Sequence, residues 1–198
     1  MLRSRHEIGL NSAPVKRAAL LAVVLLASAC GYSVAQTTAP SEGYFEGTTA
    51  ARARAALIDS TGKPIGLATF SENRLGVLVD LSLSNLPKGT HGVHIHAVGK
   101  CDGPDFMTAG AHFNPAGAQH GFHSAKGPHA GDLPNVVIGD DGRGSLRYVN
   151  PLVTLEAGAA NSINGLAIVV DQRADDEQTD PEGNSGARIA CGVIDKSA

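Results

Sequence analysis

The chain has 198 residues, a formal net charge of −3, and 42% apolar against 18% charged residues. That length sustains one core, and the mildly acidic balance does not suggest a nucleic-acid partner. With 24 glycines, no Trp and no long helix-forming run, short strands joined by turns are favoured over a helical bundle.

Residues 1–29 read as an export signal. Arg3, Arg5, Lys16 and Arg17 precede an apolar run over 18–29 that is too short to span a bilayer. The run ends in Leu26, Ala27, Ser28, Ala29 and Cys30, which resembles a lipoprotein signal acylated on Cys30, although Ala27 stands where Leu is usual. Cleavage after Ala35 is the alternative. The leader holds four Lys or Arg and one Glu, so its removal takes the net charge from −3 to −6. Residues 30–49, rich in Ser, Thr, Ala, Gly and Pro, read as a flexible tether, with the domain over 50–198. Of three cysteines, a lipidated Cys30 leaves Cys101 and Cys191, which would join in an oxidising compartment.

Residues 52–58, a turn holding Gly62 and Pro64, and residues 65–71 read as strand, turn and strand. Leu75, Val77, Val79, Leu81 and Leu83 alternate with more polar neighbours and predict a third strand with one apolar face. In the next strand, over 91–97, His94 and His96 share one face, while Val93 and Ile95 share the other with His91. After a long loop over 99–132, residues 133–138 and 144–149 form a hairpin around Asp140, Asp141 and Gly142. A buried strand over 164–170, a second loop over 171–188 and a closing strand over 187–194 complete the chain. The reading is all-β: about eight strands in a Greek-key β-sandwich or flattened barrel, immunoglobulin-like, with two long functional loops.

Seven of the eight histidines fall between His91 and Asp132. Imidazoles and one carboxylate suit a borderline ion such as zinc or copper. His91, on the opposite strand face from His94 and His96, reads as a structural hydrogen-bonder, and His123 as a loop surface residue.

The run His91, Gly92, Val93, His94, Ile95, His96, then His112, Phe113, Asn114, Pro115, then His120, Gly121, then His129, Ala130, Gly131, Asp132, and the stretch around Arg188 and Cys191 resemble copper/zinc superoxide dismutase. Members of that family are β-sandwiches, in agreement with the strand pattern. The resemblance implies copper on His94, His96 and His112, and zinc on His112, His120, His129 and Asp132, with His112 bridging. It further implies that Asp175 links His94 to His120, that Arg188 orients the substrate anion, and that Cys101 pairs with Cys191. Superoxide would be the substrate, the cell envelope or periplasm the location, with a membrane reached through the lipid on Cys30. A homodimer is left open.

One position departs from the pattern. The family's fourth copper ligand is a His, and Asp171 stands there. A carboxylate favours the harder Cu(II) and should lower the reduction potential. The segment from Asp171 to Arg188 carries six acidic residues against Arg173 and Arg188, which opposes steering of an anion. Three readings follow: a working dismutase, with Asp171 swung away or water completing a three-imidazole copper; a non-enzymatic zinc and copper binder acting as buffer or carrier; and a β-domain with a merely structural zinc.

Overall fold

Alternating apolar residues write most of the sheet. In the computed structural model, which describes residues 52–196, the strands are β1 (Arg52–Asp59), β2 (Pro64–Asn73), β3 (Gly76–Leu83), β4 (Gly89–His96), β5 (Asp132–Ile138), β6 (Gly144–Asn150), β7 (Ala167–Asp171), β8 (Arg188–Val193) and β9 (Asp195–Lys196). The expected leader, Cys30 and the tether lie outside the described residues. No helix among the described residues is long and apolar enough to cross a membrane.

The strands follow the order β5-β4-β7-β8-β1-β2-β3-β6, with the short β9 beside β1. All the pairings are antiparallel. The end strands β5 and β6 lie against one another, so the sheet curls into the flattened barrel expected. Because β3 pairs with β6 and β4 with β7, the chain crosses between neighbours in Greek-key fashion. The two-residue β9 is an addition to the eight strands read from the sequence, and β7 begins at Ala167 rather than at 164.

Leu57, Phe70, Val77, Val79, Leu81, Val93, Ile95, Leu133, Ile168 and Val170 fill the barrel. Leu75 does not join them. It is 74% exposed, because Asn73 Oδ1 accepts a hydrogen bond from the Leu75 N–H at 2.7 Å and turns the chain before β3 begins.

The outer face of the wall is as significant as the inner one. Val169 and Ala167 pair with His94 and His96 across β7 and β4, so all four side chains project outward, opposite to Val93, Ile95, Ile168 and Val170. Two loops cover that face. The loop over 97–131 is fastened by Phe106 and Ala109, which pack with Ala167, Val169 and Cys191 in an apolar cluster of their own. Cys101 and Cys191 form the disulfide that parity and resemblance implied. Its 90-residue separation corresponds to at most about 4–5 kcal/mol in the chain-entropy model. The second loop, over 172–187, folds back across the first.

Candidate metal centre

The centre forms where β4 and β7 present their outward residues to the loops. Each of His94, His96, His112, His120, His129, Asp132, Asp171 and Asp175 is buried, at 7% exposure or less. Buried polar groups on this scale require partners, and the partners define the site.

His96 is fixed first. The Gly110 carbonyl accepts a hydrogen bond from His96 Nδ1 at 2.8 Å, which leaves Nε2 with a bare lone pair. That Nε2 is buried and has no partner. His94 lies between two carboxylates, its Nε2 at 2.8 Å from Asp175 Oδ2 and its Nδ1 at 2.9 Å from Asp171 Oδ2. Asp171 is therefore turned into the site, contrary to the reading in which it swings away. The strand explains this: Asp171 follows Val169 by two positions, and so shares its outward face. A register shift between Val170 and Asp171 then sets Asp171 opposite Arg188.

The second group converges on one oxygen. Asp132 Oδ1 lies 3.2 Å from His112 Nδ1, 3.1 Å from His120 Nδ1 and 3.5 Å from His129 Nδ1. Donors about 2.0–2.1 Å from a tetrahedral zinc stand roughly 3.3 Å apart, so these separations are the edges of such a site. His120 Nδ1 and His129 Nδ1 are buried without hydrogen-bond partners. Both instead stand beside Asp132 Oδ1. The other carboxylate oxygen, Asp132 Oδ2, accepts the Gly121 and His129 N–H groups at 2.8 and 2.9 Å, which orients Oδ1.

A tighter grouping is also present: His94, His112, His120 and Asp132 bring one donor each within 4.8 Å of one another. It has His94 where the sequence reading has His129. Both ring nitrogens of His94 already face carboxylates, whereas His129 Nδ1 has no partner, so His129 is the better fourth donor.

Asp175 couples the two halves. Its Oδ2 meets His94 and its Oδ1 meets His120 Nε2 at 2.9 Å, the link the resemblance implied. Asn135 holds its backbone, accepting from the Asp175 N–H at 2.8 Å and donating to the Asp175 carbonyl at 2.9 Å. Gly183, at φ +61°, passes so close that a Cβ there would overlap the Asp175 carboxylate and crowd His120. Only glycine fits that crossing.

Charge divides the histidines. Burial lowers His96 to about 2 and His112 to about 4, so both are neutral. Burial also opposes charge on His94 and His120, but the two carboxylates that each ring faces outweigh it. His94 is raised by Asp171 and Asp175, and His120 is raised to about 10 by Asp132 and Asp175. Despite burial, Asp132 and Asp175 are held well below the usual carboxylate range by the imidazoles around them.

Arg188 is anchored beside His96. Its Nη1 donates to the Phe106 carbonyl at 3.0 Å and its Nη2 to the Gly110 carbonyl at 2.7 Å. Glu182 Oε1 stands 3.7 Å from the same guanidinium. A cavity of about 250 Å³ beside His112 and His129 is walled by Asp180 and Glu182. His91 is the hydrogen-bonder expected, with Nδ1 at 2.8 Å from the Asp171 carbonyl and Nε2 at 3.0 Å from that of Pro87. His123 is exposed, as read. The sequence reading missed Asn135, Gly183 and Asp180, whose carboxylate accepts the His120 N–H at 2.7 Å. Only the shared loop could have suggested Asp180; nothing in the local pattern marks Asn135.

A family model described as copper/zinc superoxide dismutase (SODC) matches residues 65–194. "Superoxide dismutase [Cu-Zn] 1" of Aquifex aeolicus is 44% identical over 147 residues, covering 72% of this chain and 87% of that protein. The Deinococcus radiodurans "Superoxide dismutase [Cu-Zn]" is 41% identical over 156 residues, covering 71% and 82%. Among solved structures, a double mutant of a SOD-like protein from Bacillus subtilis superposes with a TM-score of 0.69 at 39% identity, covering 72% of this chain and 96% of that one.

Proposed function

We propose, from the premise that this chain belongs to the copper/zinc superoxide dismutase family, that it converts two superoxide anions and two protons to dioxygen and hydrogen peroxide in the cell envelope. The family uses copper and zinc, and the donors present suit both. Zinc is assigned to His112, His120, His129 and Asp132, a closed set that leaves no position for substrate. Copper is assigned to His94, His96 and His112, with Asp171 as the fourth donor.

The observation that carries this reading is the Gly110 carbonyl, which accepts from both His96 Nδ1 and Arg188 Nη2. It ties the group that attracts an anion to a ligand of the second metal position. Copper, when bound, supplies the one-electron exchange. Arg188 offers the approaching anion a fixed charge, its own geometry secured by two carbonyls. His96 keeps its Nε2 unprotonated for the metal, and His112, with Nδ1 toward Asp132, leaves its Nε2 for the second position. Asp175 holds His94 and His120 in their tautomers. The leader over 1–29 and acylation of Cys30 would hold the domain at a membrane surface. A mass measurement on the mature N-terminus tests this against cleavage after Ala35.

A second reading, a non-enzymatic binder of zinc and copper, is favoured by the Asp171 carboxylate inside the site and by a structural relative described as SOD-like. Metal loading and superoxide turnover beside Asp171→His separate the two. The first reading expects copper uptake and turnover in the native chain, with the variant faster by about tenfold, the change that about 59 mV makes in a one-electron equilibrium. Copper uptake without turnover in the native chain would establish the second.

A further inference from the structure

Asp171 changes the kind of ion the second position takes. The first position is built of three imidazoles and one carboxylate: His112, His120, His129 and Asp132. With Asp171 turned in, the second comprises His94, His96, His112 and Asp171, again three imidazoles and one carboxylate. We propose that the metal-free chain also takes zinc at the second position, so that it accommodates two divalent ions joined by His112, and that Asp171 weakens that position's hold on Cu(I) relative to zinc. The inference rests on the assignment of these four residues to one position, made above.

Three features of the structure lead there. The donor set is that of a closed tetrahedral zinc site, and the lone pair of His96 Nε2 is buried and unpartnered. Asp171 is 3% exposed and its Oδ2 lies 2.9 Å from His94 Nδ1, so two donors of the second set already stand side by side. Charge points the same way. Asp132, Asp171 and Asp175 bury three carboxylates, at 2, 3 and 5% exposure, within one hydrogen-bonded cluster. One divalent ion leaves that negative charge underbalanced, and a second offsets it; a monovalent ion does so half as well. Softness adds to this, since Cu(I) prefers imidazole or sulfur over a carboxylate oxygen, whereas zinc accepts either. A histidine at position 171 would remove both restraints.

The test is a zinc titration of the metal-free full chain, followed by native mass spectrometry and by competition with a chromophoric chelator. The native chain should take up two zinc ions, Asp171→Asn one, and His129→Ala one. Under anaerobic reductant, added Cu(I) should displace the second zinc from Asp171→His and leave it in place in the native chain. Uptake of a single zinc with Cu(II) still filling the second position would overturn the proposal while leaving the proposed function intact. Failure of both ions to bind there would overturn both. Two zinc ions in Asp171→Asn, or equal displacement by Cu(I) from the native chain and Asp171→His, would also refute it.

Discussion

The two halves of the metal centre share His112 but differ in construction. The first half takes its donors from one loop and the start of β5, within residues 112–132, and a single carboxylate oxygen lies 3.1–3.5 Å from three imidazoles. The second half takes two histidines from β4, one from the loop and Asp171 from the end of β7. A contiguous half is complete once its loop folds. A dispersed half depends on strand register, and one substitution in β7 alters its chemistry without disturbing the fold.

The largest effect should come from the residue the halves share. His112→Ala is expected to empty both positions, and metal analysis should show neither ion retained. His129→Ala should empty the first position alone. With zinc at 100 times the Kd of a site, binding there stabilises the chain by about 2.7 kcal/mol, so thermal unfolding with added zinc should show one such increment fewer in the variant than in the native chain. Loss of both metals from His129→Ala would mean that the halves are not separable.

Acid should separate the halves from their metals. In the metal-free chain His96 and His112 have folded pKa values depressed from 6.5 to about 2 and about 4. The unfolded chain then takes up protons that the folded chain does not, so stability should fall as the pH drops below 6.5, continuing toward 4 for His112 and 2 for His96. Denaturant unfolding of metal-free protein at stepped pH checks this; flat stability between pH 6.5 and 4 would contradict it.

Packing between the loops sets the next scale. Gly183→Ala should cost about 1–3 kcal/mol by crowding Asp175 and His120, and Asn135→Ala about 1–3 kcal/mol by leaving the buried loop backbone unpaired. Smallest are the charges at the mouth. Arg188→Ala should slow turnover more at low salt than at high salt, and Glu182→Gln should speed it modestly at low salt. Equal loss in Arg188→Ala at both salts would remove the steering role.

The barrel was legible because alternation in 76–83 and 91–96 reports which face is buried. Leu75 shows the limit: it continues the pattern in sequence, but Asn73 turns the backbone beneath it and leaves it exposed. The ligand histidines were legible through clustering and family resemblance, and period two correctly placed His94 and His96 together. What sequence could not give was the orientation of Asp171, which depends on a register shift between β7 and β8. Nor could it give Gly183 and Asn135, whose roles arise from the second loop lying against Asp175, His120 and the β5 residue Asn135.

The central claim is that Asp171 completes the second position. A crystal structure of the metal-loaded chain, with anomalous maps at the zinc and copper edges, tests it most directly. The expected result is an ion at the second position with the Asp171 carboxylate about 2.0–2.2 Å away, alongside His94, His96 and His112. An ion held by the three histidines, with Asp171 turned away and replaced by water, would contradict it.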